Sequence, residues 1–187
     1  MYVSPFIHNV KRLVYLSLYY GFAQFLPSSF APLGGRISKS IRYHICKHLF
    51  RKCGSNVNIE RKANFGSGRN LEIGNNSGLG INCTVPSSIV IGDNVMMGPN
   101  VYIFEINHKY DRIDIPMNQQ GHTEKKKVVV GDDVWIGAFA KILPGRTIKR
   151  GSIIAAGTVL VKDFPEYSIV GGNPSMLIKS RIQDDKN

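Results

Sequence analysis

The chain has 187 residues, of which 43% are hydrophobic and 20% are charged, so it can form a packed core and is not intrinsically disordered. Its net charge of +11 is concentrated in residues 1–53, which hold eight lysines and arginines and no acidic residue. Its three cysteines, Cys46, Cys53 and Cys83, are too few for a disulfide framework and lack the paired spacing of a zinc site. We interpret them as small apolar residues of a reducing compartment.

The stretch from Leu13 to Leu26 is uncharged and rich in aromatic residues, but it is shorter than the about 20 residues that cross a bilayer. Pro27 and Pro32 follow it and end any helix. Three interpretations stay open. The segment packs on its own domain or a neighbouring subunit, it lies on an anionic membrane surface beside the basic residues, or it is the apolar part of a signal peptide.

A second helix is predicted over residues 38–52, where apolar side chains recur at every fourth position. These side chains are Ile41, Ile45 and Leu49. Ser38 or Ser40 is suited to cap the start of this helix, and Gly54 is suited to end it.

From residue 57 onward the helical pattern is replaced by a period of six residues. Two runs of six blocks begin at Ile73 and Val130, and the first position is apolar in every block. The second position is glycine in half of the blocks, and asparagine and aspartate are frequent at the later positions. Such a period predicts short strands separated by corners, stacked so that the apolar positions form one continuous core. A globular sandwich would show longer strands at wider spacing.

Between the two runs, residues 109–129 break the period and carry basic, polar, proline and glycine residues. A segment extruded from a regular coil is not needed to form the coil. Loops of this kind usually carry function.

These features resemble the hexapeptide-repeat acyltransferases, whose fold is a left-handed parallel β-helix. The residues that carry the resemblance are 91–103, the pair Asn107-His108, 128–145 and 153–179. Left-handedness is implied by the resemblance alone, because the general rule for parallel crossovers would predict right-handed coils.

The resemblance divides the chain into a basic N-terminal helical extension at 1–53, a β-helix acyltransferase domain at 54–180 that includes the loop 109–129, and a C-terminal tail at 181–187. It also implies a homotrimer with its active sites at subunit interfaces.

The branch that is most similar transfers an acetyl group from acetyl-CoA to a hydroxyl of a sugar or a xenobiotic. The motif from Pro116 to His122 and the basic extension resemble acetyltransferases of surface-polysaccharide biosynthesis. We therefore expect a cytoplasmic enzyme with a saccharide acceptor, with peripheral contact between residues 1–53 and the cytoplasmic face of a membrane as an open alternative. An antibiotic acceptor is the second hypothesis.

Acetyl transfer to a hydroxyl needs a general base, and histidine is suited to this role near neutral pH. His108 lies where the repeat gives way to the loop, and it matches the catalytic histidine of the family. Its orienting partner is left open among Glu105, Asp111 and a backbone carbonyl. The resemblance also implies that Trp135 forms a wall of the active site and that Asn82 binds the acceptor. Since no motif of an activated nucleophile is present, we expect direct transfer without an acetyl-enzyme.

For coenzyme A, the resemblance implies that the backbone amides of Ala138 and Ala156 bind the pantetheine arm. It also implies that Lys162 and Lys179 bind the phosphates, to which a lysine presents a point charge. The chain departs from the family at Met176, where a basic residue is frequent, so we expect the phosphate contacts to be weaker or built differently.

Two other classes of function fit the sequence less well. A γ-class carbonic anhydrase needs three histidines on one zinc, and only His108 and His122 lie in the repeat region, so we expect no metal. A non-catalytic β-helix that binds nucleic acid is the other class. The charge lies mostly outside the repeats and no nucleic-acid motif is present, so we expect no nucleic acid partner.

Overall fold

The structure is a computed structural model that describes residues 5–182, with side chains from residue 9 onward. Residues 1–4 of the predicted extension and residues 183–187 of the predicted tail lie outside the described residues. Two α-helices come first, α1 at Pro5–Gly21 and α2 at Gly35–Lys47, with a short 3-10 helix at Ala23–Phe25 between them. Between residues 5 and 182, neither helix combines the length and the hydropathy that crossing a membrane requires.

Helix α2 begins and ends earlier than the predicted range of 38–52. Gly34 precedes it with a left-handed φ of +76°, which glycine adopts at little cost. The amide of Ser38 donates to the carbonyl of Gly34 at 2.8 Å, so Ser38 belongs to the first turn and does not cap the helix. The chain leaves the helix after Lys47, and this places the buried side chains of Leu49 and Phe50 in the core. The predicted caps and end were therefore wrong.

The rest of the described chain forms short strands. They are β1 (Lys52–Cys53), β2 (Asn58–Ile59), β3 (Glu72–Ile73), β4 (Gly78–Leu79), β5 (Val90–Ile91), β6 (Met96–Met97), β7 (Tyr102–Ile103), β8 (Val129–Val130), β9 (Trp135–Ile136), β10 (Lys141–Ile142), β11 (Thr147–Ile148), β12 (Ile153–Ile154), β13 (Val159–Leu160), β14 (Ser168–Gly171) and β15 (Met176–Ser180).

The strands stack in parallel on three faces, and this confirms the predicted parallel β-helix. The first face has the order β1-β3-β5-β8-β11. The second runs from β2 and β4 to β6, β9, β12 and β14, and β4 joins β6 where the amide of Gly78 donates to the carbonyl of Val95 at 3.0 Å. The third has the order β7-β10-β13. The last strand, β15, pairs antiparallel with β14 and closes the second face.

The six-residue period places its first position in the core. The first positions from Ile73 to Leu160 are buried, as predicted for the inward column, except Met97, which is partly buried against the same core. Several corners contain an asparagine or aspartate with a φ between 53° and 58°, a conformation in which these side chains are tolerated. They are Asn56, Asn76, Asn82, Asn94, Asn100 and Asp133. The composition of the repeat thus follows from the geometry of its corners.

The strand register locates the extruded loop. Thr84 pairs with Tyr102, 18 residues later, whereas Tyr102 pairs with Lys141, 39 residues later, so one coil carries 21 additional residues. The amide of Lys126 donates to the carbonyl of Glu105 at 2.8 Å and closes the base of this loop. The loop therefore starts before the predicted residue 109 and ends before 129, which already belongs to β8. Its interior includes a 3-10 turn at Met117–Gln119.

The two N-terminal helices pack on the first coil. The side chain of Tyr19 is fully buried, and its hydroxyl donates to the carbonyl of Ala63 at 2.7 Å. Its ring also contacts the ring of Phe65, with centroids 4.6 Å apart. The inner face of α1 is therefore part of the core of its own domain, as one of the three interpretations of this segment expected.

Candidate active site

His108 lies inside the extruded loop, in a short antiparallel pairing with the returning strand of that loop. The amide of Lys109 donates to the carbonyl of Gly121 at 3.1 Å, and the amide of Thr123 donates to the carbonyl of Asn107 at 2.8 Å. These bonds make His108 the direct partner of His122. The backbone on both sides of His108 is therefore held in place, while its side chain remains exposed to solvent.

The rings of His108 and His122 lie against each other, with centroids 4.5 Å apart and planes inclined by 36°. From the sequence, His122 is expected to lie near the substrate or to be incidental to the reaction, because 13 residues separate it from His108 and no short spacing relates the two. Only the pairing of the two arms of the loop brings them together. An imidazole at this distance can restrict the rotamers of the His108 ring through packing.

Glu105 anchors the loop to the coil and does not orient His108. One of its oxygens accepts from Lys125 Nζ at 2.6 Å and the other from Ser88 Oγ at 2.7 Å. Partial burial raises the pKa of the Glu105 carboxyl, but the hydrogen bonds from Lys125 and Ser88 outweigh this effect and bring the pKa below its ordinary value. Asp111 is exposed and forms no ion pair with His108 among the described residues.

Asn82 lies at the corner between the second and third faces. It has a φ of 53°, and its amide donates to the carbonyl of Arg61 on the preceding coil at 3.1 Å. The same corner is occupied by Asn100 and Phe139 on later coils, also with positive φ. The corner alone therefore accounts for an asparagine at this position, and the side chain of Asn82 is exposed and free to contact a ligand.

Ala138 and Ala156 stack on the same edge, one coil apart. The amide of Gly157 donates to the carbonyl of Ala138 at 2.8 Å. Within residues 5–182, the amides of Ala138 and Ala156 have no hydrogen-bond acceptor. Two unpaired donors on a partly exposed edge with small side chains can bind an extended chain of amides and carbonyls, such as a pantetheine arm.

Trp135 projects outward from the second face and is half exposed. In the strand register it lies between Met96 and Ile153. Met96 also lines a groove of about 350 Å³ that continues along this face toward the first coil. Trp135 is therefore placed to form the wall of an open surface, where an aromatic ring can pack on the apolar side of a ligand.

The two predicted phosphate ligands lie on the last coils. Lys162 is exposed, with its Nζ 5.5 Å from the centroid of the Phe164 ring. Lys179 is exposed on β15, opposite Ile169, and Met176 is exposed at the start of the same strand. Both ammonium groups can reach an anion from solvent, and Met176 contributes no charge.

These residues form two groups in one chain. The loop with His108 leaves the coil at the end of the third face, where the chain passes to the first face. Asn82, Ala138 and Ala156 lie at the other end of the third face. Among the described residues, no hydrogen bond or ring stacking joins His108 to any of them or to Trp135. A single subunit therefore presents the two groups apart.

Neither a reactive thiolate nor a metal-binding cluster is found among the described residues. Burial raises the pKa of the Cys83 thiol to about 12, so it is not a thiolate at neutral pH. Cys46 is also buried, and burial raises the pKa of its thiol. Across the described part of the chain, no three His, Cys, Asp or Glu side chains are grouped so that they could hold a metal ion.

Comparison with known proteins places this geometry in a family. The model of the bacterial transferase hexapeptide, which describes six repeats, matches residues 70–105 and 127–162. A galactoside O-acetyltransferase of Escherichia coli is 31% identical over 148 residues, which are 78% of this chain and 71% of that protein. A putative acetyltransferase of Saccharomyces cerevisiae is 36% identical over 133 residues, which are 71% of this chain and 61% of that protein. This chain thus aligns with somewhat less than two thirds of the yeast protein.

Solved structures agree with the sequence matches. A maltose O-acetyltransferase from Clostridium difficile has a TM-score of 0.73 and 30% identity, with 95% of this chain and 89% of that chain covered. A hexapeptide-repeat acetyltransferase from Vibrio cholerae, solved in complex with acetyl-CoA, has a TM-score of 0.75 and 26% identity, with 94% and 89% covered. The repeat, the loop and these likenesses together show that the chain belongs to the hexapeptide-repeat acetyltransferases.

Proposed function

We propose that this acetyltransferase moves the acetyl group of acetyl-CoA to a hydroxyl of a saccharide acceptor, with His108 as the general base, and that it serves surface-polysaccharide biosynthesis. The observation that carries the proposal is an exposed histidine held by backbone pairing in the one loop that leaves the described coil. The similarity to galactoside and maltose O-acetyltransferases supports a saccharide acceptor.

In the proposed reaction, His108 accepts the proton of the acceptor hydroxyl while the hydroxyl oxygen attacks the thioester carbonyl. The carbon–sulfur bond then breaks, and the imidazolium returns the proton to the leaving thiolate, which gives free coenzyme A. No acetyl-enzyme is formed. The raised pKa of the Cys83 thiol supports this route, because a buried thiol is a weak nucleophile at neutral pH.

Acetyl-CoA is the co-substrate in this proposal. The unpaired amides of Ala138 and Ala156 would bind its pantetheine arm along the edge of the coil, and the exposed ammonium groups of Lys162 and Lys179 would bind its phosphates. Trp135 and Asn82 would contact the acceptor. Ala138 is partly exposed and the other five residues are exposed, as such roles require.

We further propose a homotrimer. His108 and the edge with Asn82 and Ala138 lie at opposite ends of the third face, so a neighbouring subunit can supply the half of the site that each chain lacks. Light scattering should then give a mass three times that of the 20.8-kDa chain. A monomer at micromolar concentration would contradict this part of the proposal.

The activity is tested by the release of coenzyme A thiol from acetyl-CoA with a panel of sugars, sugar nucleotides and antibiotics. We expect turnover with a saccharide. Turnover with an antibiotic alone would instead support the xenobiotic hypothesis, and no turnover with any hydroxyl compound would support a non-catalytic role.

With the best acceptor, His108→Ala should lower kcat by about 10²–10⁴-fold and leave acetyl-CoA binding nearly unchanged, because the base acts mainly in the transition state. The matched control is His44→Ala, an exposed histidine on α2 whose replacement should leave kcat unchanged. If H108A keeps wild-type kcat, the base lies elsewhere. If labelled acetyl stays on the protein without acceptor, direct transfer is wrong.

A further inference from the structure

Helix α1 is apolar on the face that it turns away from its own domain. Its inner face carries the buried Tyr19, whereas Val10, Leu13, Val14 and Leu18 are exposed, with exposed fractions of 63% for Leu13 and 53% for Val14. Their spacing of three and four residues puts them on one side of the helix. A helix that is apolar on both sides is expected to be buried on both sides, so the outer face of α1 lacks a covering surface within the described chain.

Large apolar side chains are also exposed in the segment that follows the helix. Further large side chains between residues 22 and 37 are exposed, and they are Phe22, Phe25, Phe30, Leu33 and Ile37. We call the outer face of α1 together with these five side chains the docking face. Aromatic and aliphatic side chains of this kind are suited to the boundary between head groups and acyl chains.

The charged residues beside the docking face are all basic. Residues 1–53 hold eight basic residues and no acidic one. Lys11 borders the outer face of α1, and Arg36 and Lys47 are exposed on α2. None of these three forms an ion pair within residues 5–182. The two helices adjoin each other, since the rings of Tyr15 and His48 stack with centroids 4.4 Å apart.

We infer that the docking face binds an anionic lipid bilayer, with α1 lying in the interface. An apolar helix face bordered by lysine and arginine, with no carboxylate in the segment, matches such a surface in both hydropathy and charge. A second copy of this chain is a poorer occupant, because a symmetric contact between two docking faces would bring Lys11, Arg36 and Lys47 of both copies together. The helix lies on the bilayer and does not span it, in keeping with its 17 residues.

The test is sedimentation of the full chain with vesicles of phosphatidylcholine alone and with vesicles that also contain phosphatidylglycerol. Wild-type protein should bind the anionic vesicles, and salt should release it because surface charges are screened within about 8–10 Å at physiological ionic strength. Equal binding to both vesicles, or binding to neither, would overturn the inference.

Two variants test the apolar and the basic contributions separately. Leu13→Glu with Leu18→Glu should abolish binding, whereas Ile182→Glu, at a position as exposed as Leu13 and far along the chain, should not. Lys11→Gln with Arg36→Gln should weaken binding about fivefold for each basic residue removed, since each contributes about 1 kcal/mol near an anionic surface.

The charge-matched control is Lys149→Gln with Arg150→Gln, two exposed residues of the β-helix, which should leave vesicle binding unchanged. Circular dichroism confirms that every variant is folded. If Leu13→Glu with Leu18→Glu changes the oligomeric mass and leaves vesicle binding intact, the docking face is a subunit contact and the inference is wrong.

Discussion

A buried ion pair ties the N-terminal extension to the β-helix, and its removal gives the sharpest test of the packing. The side chain of Arg42 on α2 is fully buried. Its Nε donates to the carbonyl of Ile59, and its Nη1 donates to the carbonyls of Pro27 at 2.9 Å and Leu26 at 3.3 Å. Its Nη2 lies 3.7 Å from Glu60 Oε2. One guanidinium thus joins α2, the turn before it and the first coil.

Glu60 would stay charged if Arg42 were removed. Its carboxylate accepts hydrogen bonds from the amide and hydroxyl of Ser29 and from Asn58 Nδ2, the last at 3.0 Å. Burial raises the pKa of Glu60, but these hydrogen bonds outweigh burial and bring the pKa below its ordinary value. The variant Arg42→Met would therefore leave a buried carboxylate without a cation.

The expected loss follows from that uncompensated charge. Removing one partner of a buried pair costs about 3–5 kcal/mol, and the three carbonyl acceptors of Arg42 also lose their donor. For a chain of this length, 1 kcal/mol corresponds to about 2–4 °C in Tm, so Arg42→Met should lower Tm by about 6–20 °C. Adding Glu60→Gln to Arg42→Met should recover part of the loss, because the buried negative charge is then removed.

The assay is thermal unfolding at one protein concentration, since the Tm of an oligomer depends on concentration. Arg51→Met is the matched control, because Arg51 forms a solvent-exposed pair with Glu72 at 3.5 Å. Its loss should cost at most about 1 kcal/mol. If Arg42→Met and Arg51→Met have the same Tm, or if Glu60→Gln recovers nothing, the ion pair does not hold the extension as argued.

Two further predictions concern stability. Gly137→Ala should cost about 1–3 kcal/mol and weaken acetyl-CoA binding, because the added Cβ would lie 2.5 Å from the amide nitrogen of Ala156. Gly21→Ala is the control, since open space surrounds Gly21 and the added Cβ should have no such effect. Equal Tm values for the two variants would contradict this packing. The lowered pKa of Glu60 stabilises the fold above the ordinary glutamate value of about 4.3, and this contribution is lost as the pH falls through the lower folded value. Tm should therefore fall more steeply below about pH 4.3 in the wild type than in Glu60→Gln, and parallel curves would show that Glu60 does not titrate in this way.

The sequence by itself determined the coil. An apolar residue at every sixth position must be buried, and only stacked short strands bury such a short repeat, so the column from Ile73 to Leu160 could be predicted without coordinates. The loop could be predicted in the same way, because the interruption of the six-residue period is visible along the chain. The presence of His108 beside that interruption was likewise a local signal.

The tertiary structure decided what depends on residues far apart in the chain. The start of α2 was set by the left-handed turn at Gly34, and the ends of the loop were set by the hydrogen bond between Lys126 and Glu105. The contact of His122 with His108 arises from the pairing of the two arms of the loop. The repeat indicates which residues point inward, but it does not indicate which residues far apart in the chain come into contact.

The positions of the candidate site residues relative to one another also depend on the tertiary structure. The resemblance named His108, Asn82 and Ala138 together, whereas the coil places the loop with His108 at one end of the third face and the other two at the opposite end. The buried pair of Arg42 and Glu60 had no sequence signal, because an isolated charge in a basic segment is usually solvated. Periodic burial is a local property that sequence records directly, while contacts between loop, helix and coil depend on how these elements pack in three dimensions.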